Sequence, residues 1–163
     1  MMIKLMAGVI VGTLVTFGAQ ADDMANRGEY LATIMDCTGC HTGGALAGKP
    51  DPALYLAGSS IGFELPGLGI FYPPNLTPDA DTGLGGWSEA DIIKSLRTGV
   101  RPDGRELAPV MPWRSYSKMT DSDAQALASY LKSLKPVRNA IPQIAASSDA
   151  AKGPYLTVAM PKK

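Results

Sequence analysis

The sequence predicts a small, all-α, loop-rich domain, and three observations lead there. Stretches with helical signals fall at 22–36, 88–98 and 121–134, two of them opening on a clear N-terminal cap. A Gly- and Pro-rich run from Gly43 to Gly86 carries no long periodic segment. The alternating, β-branched stretches that would announce a sheet are missing.

Taken in order, the chain opens on Lys4, an apolar run from Leu5 to Gly18, and Ala19-Gln20-Ala21, a small-x-small cleavage pattern. Residues 1–21 are therefore expected to be a cleaved signal peptide, because the apolar run is shorter than the roughly 20 residues that span a bilayer. An uncleaved N-terminus acting as a membrane anchor is the alternative. Asp22 to Asp36 forms the first expected helix, and Gly28 in it allows another helix to approach closely, with Tyr130 as a candidate neighbour. Gly43 to Gly86 is expected to be loop wrapped around a large apolar group, with short helical turns at most. Ser88-Glu89-Ala90-Asp91 begins a helix that runs to about Thr98, with Trp87 and Ile92 placed to staple its start; Gly99 and Pro102 end it. Thr120-Asp121-Ser122-Asp123 caps the last helix, where Leu127, Tyr130, Leu131 and Leu134 recur at helical spacing and Pro136 stops the run. From Val137 to Lys163 the chain shows little periodicity, and this irregular tail either wraps the domain, meets a partner or stays disordered. The expected organisation is thus a signal at 1–21, one domain at 22–136 and a tail at 137–163.

The whole sequence has 15 basic and 15 acidic side chains. Loss of Lys4 with the signal leaves it one negative charge in excess, so no dominant basic face serves nucleic acid, and steering by net charge is weak. The chemistry is concentrated in one window. Both cysteines and the sole histidine fall within Cys37-Thr38-Gly39-Cys40-His41. This is the Cys-x-x-Cys-His spacing of haem c attachment: two thiols three positions apart reach two vinyl groups on one porphyrin edge, and the next residue is carried beneath the iron. A thioredoxin-like pair would follow a strand in a βαβ unit and would not need His41. A zinc site would need a fourth ligand that the chain lacks among Cys and His. One haem, covalent through Cys37 and Cys40 with His41 on the iron, is the expected cofactor, and the domain is expected to fold around it.

A second histidine being absent, the sixth iron ligand is a methionine, a rarer group or nothing. Met24 and Met160 lie near the termini, and Met35 is too close to Cys37 to reach the opposite porphyrin face. Met119 stands just outside a helix cap. Met111, in Ala108-Pro109-Val110-Met111-Pro112-Trp113, sits between two prolines that stiffen an extended loop able to hold a thioether over iron. Met111 is the favoured candidate, Met119 the second, and an open position remains.

With its attachment motif after one helix and a methionine in a proline-bounded loop before the last helix, the chain resembles a class I cytochrome c. More narrowly, it resembles the cytochrome c subunits of bacterial membrane-bound alcohol and aldehyde dehydrogenases. That likeness rests on Asn75-Leu76-Thr77-Pro78-Asp79, Thr82 to Ser88, Leu96 to Arg105, and Pro109 to Trp113, within residues 25 to 135. It implies an all-α class I fold and Met111 rather than Met119 as ligand. It further implies that Asn75 and Thr77-Pro78 line the haem, and that Arg97 or Arg105 lies near a propionate. One-electron transfer in the periplasm, without catalysis of its own, is the implied role, between a dehydrogenase catalytic subunit and a downstream cytochrome or oxidase. The family's subunits commonly carry three such domains and an anchor, whereas this chain has one motif. A free periplasmic carrier is therefore the alternative, followed by a haem enzyme or ligand sensor with an open sixth position.

Overall fold

The computed structural model describes residues 17–161, so most of the expected export signal lies outside the described residues. Among the described residues no helix is long and apolar enough to cross a membrane.

Three helices form the frame: α1 (Phe17–Ile34), α3 (Glu89–Thr98) and α5 (Asp121–Ser133). Between them lie two short helices, α2 (Cys37–His41) and α4 (Trp113–Tyr116). The crossing of α1 and α5 explains Gly28: a methyl group there would run into the Ala126 carbonyl oxygen and the Tyr130 side chain. Glycine's propensity cost in a helix of about 1 kcal/mol is the condition for that contact. Helix α3 starts on the expected capping box, with Ser88 Oγ accepting from Asp91 N at 3.1 Å and Asp91 Oδ2 accepting from Ser88 N at 3.0 Å. It ends at Gly99, whose φ of 73° favours glycine and whose missing side chain leaves room for the Trp113 ring. Thr120 caps α5 through Asp123 N.

The frame closes over Leu31, Leu56, Leu96, Leu127 and Leu131, all buried, with Trp87 and Ile92 packed in the same cluster. Lys132 fastens the preceding loop to α5, its Nζ donating to the carbonyls of Leu84, Gly85 and Trp87.

The expectation of an all-α fold is corrected by a three-stranded sheet, which makes this a mixed α/β fold. Its strands are β1 (Gly62–Leu65), β2 (Gly69–Phe71) and β3 (Tyr155–Leu156), in the order β2-β1-β3. The first two form a hairpin inside the stretch expected to be loop, pairing Phe63 with Phe71 and Leu65 with Gly69. The third comes from the tail and runs parallel to β1. Strands of three and two residues are too short to show alternation, and the four of β1 only just reach the length of about four to eight at which it registers. One local signal was present. Leu65-Pro66-Gly67-Leu68 closes the hairpin with Leu68 N donating to Leu65 O at 2.9 Å and Gly67 at φ 78°, which is the Pro-Gly pattern of a type II turn.

The tail is held along much of its length. Ala145 bridges Ile70 with hydrogen bonds in both directions, at 2.7 and 3.1 Å. Tyr72 Oη donates to the Gly153 carbonyl at 2.8 Å. Ile70, Tyr72 and Ala145 form a second buried cluster, with Ile141, Ala151 and Tyr155 packed around it.

Candidate haem site

Asp36 separates α1 from the attachment helix. Its φ of 58° and ψ of 30° put it in the left-handed region, so the chain turns and starts α2 afresh. Gly39 accommodates that turn, since a methyl group at 39 would strike the Asp36 carboxylate. On α2, Cys37 and Cys40 are three residues apart and share a face, and both thiols are free. Burial pushes the Cys37 thiol up to about 11, and Cys40 is raised for the same reason.

His41 is buried, and its Nδ1 lies 2.7 Å from the Pro74 carbonyl oxygen. A carbonyl only accepts, so Nδ1 carries the proton and Nε2 keeps its lone pair for a metal. Burial pushes the imidazole pKa down, outweighing the Pro74 contact, which favours the neutral ring a metal requires. Fixing the ring through its second nitrogen is the usual way a metal-binding histidine is oriented.

Cys37, Cys40 and His41 open on one cavity of about 740 Å³ with largely apolar walls, a size at the upper end for cofactor sites. The donor set and cavity fit a covalently held haem: two thiols on one edge, an imidazole nitrogen, and apolar side chains from several elements. Such a group supplies one-electron exchange between ferric and ferrous iron.

The other expected site residues divide. Met111 lines the cavity, and so does Arg105. Arg97 does not; its Nη2 donates to the Met119 carbonyl at 3.2 Å and to Asp121 Oδ1 at 2.6 Å, tying α3 to the cap of α5. Asn75 and Thr77 also stand outside the cavity wall. Asn75 is 1% exposed, and both ends of its amide are used: Oδ1 accepts from Thr77 N and Oγ1, and Nδ2 donates to Thr82 Oγ1 and the Val137 carbonyl. Met119 packs on the helical core, and Met35 lines the cavity near the attachment helix.

Arg101, Asp103 and four residues of the tail escaped the sequence reading. Arg101 and Asp103 line the cavity beside Arg105. Arg101 Nε sits 3.3 Å from Asp103 Oδ2, and its guanidinium lies over the Trp87 ring at 5.1 Å. Burial lowers the Arg105 pKa, and Arg101 adds to the effect, so two cations face a single acid there. Tyr116 donates from Oη to the Met35 carbonyl at 2.6 Å, joining α4 to the end of α1 beside the attachment helix. Ile141, Pro142, Gln143 and Ile144 bring the tail into the wall. Arg101 carried a weak signal, standing two residues from Asp103 and four from Arg105; the tail carried none.

The site is therefore of the covalent haem class, with both attachment cysteines and an oriented imidazole encoded in five consecutive residues. The cytochrome c family pattern matches residues 25–135, and the chain belongs to that family. Its cofactor is haem c, attached through Cys37 and Cys40, and its chemistry is electron transfer. Curated relatives are similar over most of the chain. The cytochrome c subunit of gluconate 2-dehydrogenase from Pantoea cypripedii is 39% identical over 145 residues, covering 85% of this chain and 31% of that protein. The cytochrome c subunit of the quinone alcohol dehydrogenase of Gluconobacter oxydans (strain 621H) is 38% identical, covering 80% of this chain and 27% of its own length. The fructose dehydrogenase cytochrome subunit of Gluconobacter japonicus is 36% identical, with 69% and 22% covered. The chain thus spans 22% to 31% of the length of these three proteins.

Proposed function

We propose that this chain passes single electrons in the periplasm as the cytochrome c subunit of a dehydrogenase system. It would accept them from a dehydrogenase catalytic subunit and deliver them to a downstream cytochrome or oxidase. The observation that carries this reading is the convergence of Cys37, Cys40, an oriented His41 and Met111 on one cavity. The relatives' names supply the kind of donor, since all three are cytochrome subunits of dehydrogenases.

In this reading His41 and Met111 would hold the iron between them and leave no ligand site for a small molecule. Pro109 and Pro112 hold the loop, and Met111 N donates to the Ala108 carbonyl at 2.9 Å, giving the loop a turn of its own. A thioether beside an apolar wall favours the reduced state relative to anionic ligation.

Absorbance of the mature protein, oxidised, reduced and reduced under carbon monoxide, tests the ligand set. His/Met ligation gives a weak far-red band when oxidised and slow carbon monoxide binding when reduced. In Met111→Ala the band is lost and carbon monoxide binds at once. An unchanged spectrum in that variant would remove Met111 from the iron. Gentle extraction from the native host, followed by affinity purification, tests the partner: recovery with a dehydrogenase subunit supports the assignment, and recovery alone favours a diffusing carrier.

A further inference from the structure

The family match ends at residue 135, yet the chain beyond it returns to the haem cavity. Val137 is reached by two side chains of the 75–77 segment: Asn75 Nδ2 donates to its carbonyl at 2.7 Å, and Thr77 Oγ1 accepts from its amide at 3.2 Å. Two residues on, Asn139 donates from its backbone to Thr82 Oγ1 at 3.1 Å and from its side chain to the Ala57 carbonyl at 2.9 Å. Ile141 to Ile144 then form cavity wall, and Ala145 pairs with Ile70.

This wall lies on the His41 side. Gly58 N donates to the His41 carbonyl at 2.7 Å. A methyl group built on Gly58 would come within 2.8 Å of the Ile141 side chain, 2.9 Å of Asn75 N and 3.1 Å of the Pro73 carbonyl. Backbone of the attachment helix, the 73–75 segment whose Pro74 carbonyl orients His41, and the tail therefore meet at one glycine. Asn75 is the amide next to Pro74, whose carbonyl holds His41 Nδ1.

We propose that residues 137–145 are a strap that completes the haem site on its proximal side, with Asn75 and Asn139 as its latches and Ile141 as the side chain that keeps water from the His41–Pro74 hydrogen bond. Asn75 and Asn139 act as positioning residues, through the tail and Pro74, without touching the cofactor. The inference rests on haem c attached here with His41 on the iron.

The test is hydrogen exchange of the His41 Nδ1 proton, followed by NMR in the reduced holoprotein, where a single histidine makes the signal unambiguous. Asn139→Ala and Ile141→Ala should each speed that exchange by roughly tenfold, the scale of one lost hydrogen bond or a small packing defect, and should lower the reduction potential. Val158→Ser, at a residue 78% exposed, should change neither. Mass and absorbance report haem attachment and axial ligation separately. Loss of those in the wild type would overturn the haem reading itself, whereas an intact spectrum with unchanged exchange in both variants would overturn the strap. Should either variant fail to fold, the wild-type amides of Val137, Asn139 and Ala145 decide: slow exchange matching that of the 75–77 loop supports the strap, and rapid exchange overturns it.

Discussion

The helical frame and the strand-and-tail region each contain fully buried side chains, but they are built by different means. In the frame, Leu127 is 0% exposed because α5 presents one apolar face to α1 and α3. In the second region, Ile70 is 0% exposed because a three-residue strand is trapped between a neighbouring strand and Ala145 from 75 positions further on. The first arrangement depends on periodicity within each element. The second depends on long-range closure, whose loop entropy must be met before any contact is gained. The frame should therefore report on global stability, and the tail region on local opening around the haem.

The most damaging change belongs to the frame. Gly28→Val forces a side chain into the Ala126 carbonyl and Tyr130, where backbone cannot step aside. We expect a loss of about 3 kcal/mol or more, the upper range for overpacking, measured by denaturant unfolding of the holoprotein. A loss below 1 kcal/mol would mean that α1 can move off α5 at little cost.

Leu127→Ala and Ile70→Ala sharpen the contrast, because both residues are fully buried and lose side chains of equal carbon count. Each deletion removes packing worth about 2–5 kcal/mol. For Leu127→Ala the whole cost should appear as a lower unfolding midpoint. For Ile70→Ala, most should appear as faster exchange of the Ala145 and Val137 amides with a smaller midpoint shift. Equal midpoint shifts with no local exchange would show the two regions to be one cooperative unit.

That contrast also decides what could be read in advance. Helices α3 and α5 were legible because cap, apolar period and stop signal lie within one short window: Ser88 with Asp91, Thr120 with Asp123, Leu127 with Leu131. The attachment site was legible for the same reason, five neighbouring residues supplying both thiols and the imidazole. The sheet was not, because Gly62–Leu65 and Gly69–Phe71 owe their strand conformation to each other and to Tyr155. Asn75 illustrates the limit most sharply. Its neighbourhood matched a motif, which suggested a place against the cofactor, whereas its amide is spent on Thr77, Thr82 and Val137. Only the return of the tail reveals that use. Arg97 was similarly placed by motif, and its partners Met119 and Asp121 come from another element.

Thr120→Ala removes the cap of α5 and should cost about 1 kcal/mol, read as a midpoint shift with the haem spectrum unchanged. A spectral change would place the α5 start, and Met119 beside it, closer to the iron's ligand set than Met119's packing on the core suggests.

The smallest expected effect lies where frame and haem site meet. Tyr116 Oη donates to the Met35 carbonyl, and its pKa is pushed up to about 12 from an ordinary 10.0, first by burial and then by negative charge at Cys37, Cys40 and Asp36. Once both sulfurs are thioethers they carry no charge, so burial and Asp36 remain. The unfolded chain ionises Tyr116 near pH 10 and the folded protein only at higher pH. Its contribution is therefore complete below pH 10 and fades as the pH climbs through the raised folded value. Tyr116→Phe should be slightly less stable than wild type at neutral pH, through the lost hydrogen bond. Because Phe cannot ionise, the difference should narrow steadily above pH 10. Tyr130, whose pKa is also raised by burial, is common to both proteins and cancels in the comparison. A gap that stays constant from pH 7 to 12 would mean that Tyr116 ionises as readily folded as unfolded, and that α4 does not seal the Met35 end of the haem cavity.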